Sequence, residues 1–237
     1  MTWQEFDAVL FDLDGVLTPT ADVHMHAWEQ MFTDFLARRG ERAYETADYY
    51  AYIDGKPRYD GVRSFLQSRS IDLAEGDPSD PVDRETVCGL GNRKDAMFNE
   101  ILESEGVDPY PGSVAYLDAL AESRTGVAVV SSSRNAPAVL EAAGLADRFE
   151  VVVDGKVAAE RGLPGKPSPA TFEYAAAQLG VDNAHAVVIE DALSGVEAGS
   201  AGTFGRVIGV DRGAGEEALR AAGAHVVVKD LGELVTK

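Results

Sequence analysis

Ala8-Val9-Leu10-Phe11-Asp12-Leu13-Asp14-Gly15 is the stretch on which the reading of this chain turns. Four apolar residues in succession, without polar alternation, predict a strand buried on both faces, as in a parallel sheet. The run closes on two carboxylates one residue apart, and Gly15 then permits a sharp backbone bend. Side chains alternate along a strand, so Asp12 and Asp14 are expected to point the same way. In open α/β sheets, ligands gather outside the carboxyl ends of the strands, where this pair falls. An Asp-Gly turn closing a strand is the plain alternative, and for such residues taken alone it is the commoner use.

Four more short apolar runs resemble the first: Val127–Val130, Val151–Val153, Ala186–Ile189 and Val207–Val210. Helical stretches near 135–144, 168–180 and 192–202 separate the later ones, and His225–Val228 offers an edge strand. This alternation predicts an α/β fold, a Rossmann-like parallel sheet with helices on both faces. Between residues 18 and 107 the pattern changes. Trp28, Met31, Phe32, Phe35 and Leu36 recur at helical spacing after a candidate cap, Thr20. Val62, Phe65 and Leu66 form a second stripe, and Met97, Phe98, Ile101 and Leu102 a third. The expected organisation is a catalytic core of residues 1–17 and 108–237, with an α-helical cap, 18–107, inserted after the first strand. Tyr110-Pro111-Gly112 is the expected hinge, and a helical lid over strand-end carboxylates would exclude water.

The 237 residues carry a net charge of −19, which argues against nucleic acid and against anionic membrane as partners. An anionic substrate would need local lysine, arginine or metal to overcome that field. Apolar residues, 45% of the chain, are ample for a sizeable core. Cys88 is the only cysteine, so no internal disulfide can form and a reducing cytoplasm is the expected setting. With no charged neighbour, it reads as a small core residue. The opening MTWQEFD is acidic and lacks a basic-then-apolar signal pattern, and no apolar stretch approaches membrane-spanning length.

Each later strand ends in polar residues suited to the same crevice. Ser131-Ser132-Ser133-Arg134-Asn135 offers hydroxyl, amide and guanidinium donors for phosphate, or else a serine-rich turn. Gly165-Lys166-Pro167-Ser168-Pro169 places a lysine just before a helix, with Ser168 as cap and Pro169 in the first turn. Glu190-Asp191 adds two adjacent acids, and with Asp12 they supply the hard oxygen donors that Mg2+ prefers. Asp191 could equally cap the next helix. Each bland reading stands by itself, but together they do not explain polar signals at successive strand ends in compatible order.

That combination resembles the haloacid dehalogenase superfamily, whose four motifs are matched over most of the chain. The resemblance implies Asp12 as nucleophile and Asp14 as general acid and base, with Ser131 and Lys166 holding the transferring phosphoryl group. Asp12, the Asp14 carbonyl and Asp191 would bind Mg2+, with Glu190 supporting. Attack by Asp12 would give an aspartyl-phosphate, dividing a difficult displacement into two steps.

The inserted helices resemble the helical-cap subclass, and within it the β-phosphoglucomutase family and its phosphatase-like relatives. DLDGVLTPTADVHMHAW, DGKPRYDGV, NRKDAMF, YPG, VVSSSRNA, GKPSPATF and IEDALSGVEAG carry that likeness. It implies that His24 couples the cap to Asp14, that Trp28 packs the same helix and that Lys94 contacts the sugar. Arg58, Ser133, Arg134 and Asn135 would hold the non-reacting phosphate. The implied substrate is a small phosphorylated sugar, with β-glucose 1-phosphate converted to glucose 6-phosphate and glucose 1,6-bisphosphate as primer. The expected assembly is a monomer or weak dimer.

Hydrolysis of a sugar phosphate by the same machinery is the alternative. A phosphoryl-accepting signalling receiver lacks the helical lid and the partner at Asp14, and halide displacement needs neither metal nor a second aspartate. Three departures stand out: Pro19 in place of an acidic hinge residue, Arg134 in place of lysine, and a longer segment at 154–166, DGKVAAERGLPGK. His26, two residues from His24 and therefore on a different helical face, is expected to be solvent-facing or structural, as are His185 and His225.

Overall fold

In the computed structural model, which describes residues 6–235, most of the acidic opening stretch (residues 1–5) lies outside the described residues. The chain divides into two compact units, one running through Thr20 and resuming at Val107, the other Ala21–Gly106. Strand β1 (Ala8–Phe11) precedes helices α1 (Thr20–Arg39), α2 (Thr46–Tyr52), α3 (Arg58–Ser68) and α4 (Val87–Glu105). There follow α5 (Pro111–Ala121), β2 (Gly126–Val130), α6 (Ala136–Ala142), β3 (Val151–Val153), α7 (Gly155–Arg161) and α8 (Ala170–Gln178). The chain ends with β4 (Ala186–Glu190), α9 (Leu193–Ala201), β5 (Arg206–Val210), α10 (Glu216–Ala222) and β6 (Val226–Val228).

The six strands form one parallel sheet in the order β3-β2-β1-β4-β5-β6. Strand β1 is central, with Phe11 in register with Val129 of β2 and Ile189 of β4. The strand ends are therefore level, and whatever follows Phe11 stands beside Val130 and Glu190. Leu10 and Val188 pack with Phe172 of α8, while the next residue, Phe11, meets Tyr116 of α5 edge-on at 6.0 Å. Successive strand residues point to opposite faces, so helices cover both sides of the sheet. Phe11, Tyr116 and Phe172 are fully buried, each such side chain contributing about 1.5–3 kcal/mol of burial free energy.

In the smaller unit the α1 stripe Trp28, Met31, Phe32, Phe35 and Leu36 packs with Val62, Phe65 and Leu66 of α3 and with Val87 and Leu90 of α4. The Phe32 and Phe65 rings lie 3.9 Å apart. Cys88 is buried, and burial pushes its thiol pKa up, as suits a packing residue. No helix among the described residues is long and apolar enough to cross a membrane.

Several local expectations shift. Helix α1 does begin at Thr20, but the Thr20 hydroxyl is turned to the Asp14 carboxylate. The cap position of α8 is held by Pro169, with Ser168 Oγ accepting from Ala170 N at 3.4 Å. Asp191 precedes α9 by two residues, and it is Glu190 that accepts from Ala192 N, at 2.7 Å. The segment read as a long loop contains α7, started by Asp154 accepting from Lys156 N and Val157 N and stopped by Gly162 in the left-handed region.

Candidate active site

The site grows from the level strand ends. Asp12 follows β1 directly, and its N–H donates to Ile189 O at 2.9 Å, extending the ladder by one residue. Lys166, 4% exposed, reaches in from the loop before α8. Its ammonium donates to Asp12 Oδ1 at 2.5 Å, Glu190 Oε1 at 2.7 Å and Val130 O at 3.0 Å. An ammonium has three protons and no acceptor, so this tripod satisfies it completely. The lysine thus ties β1, β2 and β4 together at the carboxyl edge.

Asp12 is 7% exposed and Glu190 1%. Burial, acting with the neighbouring Glu190 and Asp14 carboxylates, drives the Asp12 pKa well above the usual aspartate range, against the pull of Lys166. Burial opposes the charged form of Lys166 too, but the Asp12 and Glu190 carboxylates outweigh it and raise its pKa, keeping it protonated. Carboxylate oxygens of Asp12, Glu190 and Asp191 lie within 4.8 Å of one another. The three acids outnumber the one ammonium, and their donors are all hard oxygens, a set that fits Mg2+. Glu190 has both oxygens engaged, one with Lys166 Nζ and one with Ala192 N.

Two glycines make room for this cluster. Gly15 has φ +87° and lies so close to the Asp191 carboxylate that a Cβ would overlap it. Gly195 in the first turn of α9 stands against the Glu190 carboxylate in the same way.

Asp14 takes different partners from Asp12. Its Oδ1 accepts from Thr20 Oγ1 at 2.5 Å and its Oδ2 from Ser131 Oγ at 3.3 Å, while the Thr20 hydroxyl also meets that of Thr18 at 2.7 Å. Ser131 further accepts from Ser133 N at 3.1 Å, and Ser133 Oγ from Asn135 N at 3.1 Å. The serine-rich segment is thus both a hydroxyl-bonded turn and a direct neighbour of Asp14. Arg134 is exposed at its edge, its stem against Gly155.

In the smaller unit, Lys94 is 3% exposed and donates to His24 Nδ1. The His24 ring stacks on Phe98 at 4.0 Å, and Lys94 Nζ lies 5.4 Å from the centre of the Trp28 ring. Arg58 Nη1 pairs with Asp95 Oδ2 at 2.5 Å. His24, Trp28 and Lys94 are brought together, and Arg58 pairs with Asp95. The sequence reading did not include Asp95, the Thr20 hydroxyl, the Val130 carbonyl or Gly195 among the site residues. Of these, Thr20 alone gave a signal, as a helix start. His225 accepts from Val207 N at 2.9 Å, a structural use.

A parallel sheet whose central strand ends in paired aspartates, opposite a buried lysine and an acidic pair, defines a class of phosphoryl-handling fold. The chain belongs to the haloacid dehalogenase-like hydrolase family, whose model matches residues 6–203. It is 51% identical, over 96% of its length and 91% of the relative's, to a protein of Mycobacterium bovis named β-phosphoglucomutase. A Bacillus subtilis protein of the same name is 33% identical over 96% of this chain and 91% of its own length. The fold also matches the crystal structure of a β-phosphoglucomutase from Clostridium difficile, with TM-score 0.78, 24% identity and coverage of 97% and 93% of the two chains.

Proposed function

We propose that this chain transfers phosphoryl groups on a small sugar phosphate, interconverting β-glucose 1-phosphate and glucose 6-phosphate through the 1,6-bisphosphate, with Mg2+ as cofactor. The observation that carries the reading is the buried lysine joining Asp12 to Glu190 beside Asp191, in a chain half identical to a protein of that name. Asp12 attacks phosphorus, and its bond to the departing sugar oxygen breaks as the aspartyl-phosphate forms. Lys166 offsets the repulsion between that carboxylate and the phosphate anion. Asp14, held by Thr20 and Ser131, protonates the leaving oxygen and later takes the proton of the incoming hydroxyl. Asp12, Asp191 and the Asp14 carbonyl would hold Mg2+, which when bound neutralises charge on the transferring oxygens.

For Arg58, Ser133, Arg134 and Asn135 the proposed role is retention of the second phosphate, and for Lys94, contact with the sugar. A mutase must keep its bisphosphate and reorient it, so it needs a second anion site that a simple hydrolase does not. The test is phosphorus NMR of purified protein with Mg2+, β-glucose 1-phosphate and a catalytic amount of the 1,6-bisphosphate. Glucose 6-phosphate forming faster than free phosphate is the expected result. Inorganic phosphate as main product would reject the mutase and leave a sugar phosphatase.

A further inference from the structure

We infer that Arg212, two residues beyond β5, is a positioning residue for the turn that carries Asp14. Its Nε donates to Gly15 O at 2.8 Å and its Nη1 to Lys229 O at 3.0 Å, and the guanidinium carbon lies 3.8 Å from the centre of the Tyr110 ring. Two hydrogen bonds fix a planar fork within its plane, and an aromatic face beneath it prevents tilting. Gly15 N donates back to Thr18 O at 2.8 Å, whereas the Gly15 carbonyl takes its partner, Arg212, from elsewhere in the fold. Arg212 supplies a charged donor, stronger than a neutral one.

The same segment is tied from a second side. Tyr110 N donates to Leu17 O at 2.9 Å, and Ser113 Oγ donates to Val16 O at 2.7 Å. Gly15, Val16 and Leu17 thus each present a carbonyl to a distant residue, and the Tyr110 ring that braces Arg212 belongs to one of them. Asp14 is peptide-bonded to this held segment. Displacing it by even about 1 Å is the kind of change that costs about 100-fold in a proton transfer.

The inference rests on the reading of Asp14 as the acid that protonates the leaving oxygen, and the test separates the two. The rate of phosphoenzyme formation is measured by rapid quench, with Mg2+ present, for β-glucose 1-phosphate and for p-nitrophenyl phosphate. The sugar oxygen needs a proton to leave, and nitrophenolate hardly does. Arg212→Met should lower the sugar phosphate rate about 10- to 100-fold and the aryl rate less than about threefold, with little change in KM. Tyr110→Leu should shift the same ratio less, and Arg212→Lys, charged but without the fork, should recover it only in part. If Arg212→Met does not fold, those two variants decide the matter. Equal losses on both substrates, or none, would overturn the role of Arg212 provided that Asp14→Asn itself is selective for the sugar phosphate. Equal losses in Asp14→Asn would instead remove the acid role on which the inference stands.

Discussion

Lys166 is the residue on which the site's electrostatics balance. It is enclosed by two carboxylates and a carbonyl, and each accepts one of its protons. Lys166→Met keeps much of the volume but leaves Asp12 and Glu190 facing each other without a counter-charge. Removing one partner of a buried ion pair costs about 3–5 kcal/mol, so urea denaturation without added metal should show a loss of that size, and phosphoenzyme should become undetectable. A loss below about 1 kcal/mol would mean that the carboxylates are not held together in the folded protein. Gly195→Ala makes the complementary test, since the new methyl would occupy the place of the Glu190 carboxylate. That carboxylate must then leave Lys166 or Ala192 N, and turnover should fall at least about tenfold with Tm lowered by several degrees. Unchanged turnover would show that Glu190 can yield without consequence. Asp12, Ser131 and Glu190 were readable because each closes an apolar run, and Lys166 because it stands just before a helix. Gly15 was readable as a bend, but its approach to Asp191 was not, because that residue is 176 positions away, and Gly195 meets Glu190 only across a helix–strand contact.

At the scale of elements, the strands were legible because burial on both faces leaves no polar residue to interrupt them, and β1, β3 and the stripes of α1, α3 and α4 fall where the pattern places them. The helices α2, α5, α7 and α10 went unread for a physical reason. Three of them are only seven residues long, too short to show an apolar stripe, and are fixed by their ends. Asp154 and Gly162 bound α7, Gly223 in the left-handed region stops α10, and Pro111 opens the longer α5. End chemistry also governs α4. Thr86 accepts from Gly89 N at 3.0 Å and donates to Asp80 at 2.6 Å. Thr86→Ala should therefore cost about 0.5–2 kcal/mol by thermal denaturation at neutral pH. The Thr86 hydroxyl, helped by the Asp77 amide and Arg84 and opposed by burial, holds the Asp80 pKa below its ordinary value of 3.8. A depressed folded pKa gives stability that is present above the unfolded value and is lost as pH falls through the folded one. The gap between wild type and Thr86→Ala should accordingly narrow below about pH 4. A gap that widens there would show that Asp80 is not held as an anion by this contact.

On the scale of the whole molecule, the field and the site have opposite signs of purpose. A net charge of −19 repels a phosphate dianion at a distance, whereas Lys166 and the proposed phosphate-holding arginines attract it only at close range. This conflict was legible from composition, as was the need for local positive charge, but not the buried tripod, since Lys166, Asp12 and Glu190 are neighbours only after folding. Long-range repulsion between solvent-exposed charges is screened over a Debye length, about 30 Å at 0.01 M salt and about 8 Å at 0.15 M. Contacts inside a buried tripod are screened far less. Raising potassium chloride from about 10 mM to about 150 mM at fixed Mg2+ should therefore raise kcat/KM for a sugar phosphate, by about two- to fivefold, while kcat at saturation stays nearly constant. The initial slope of rate against substrate concentration checks this directly. A kcat/KM that falls with salt would mean that the positive groups around the substrate govern its approach as well as its binding, and that the acidic surface is remote from the path of entry.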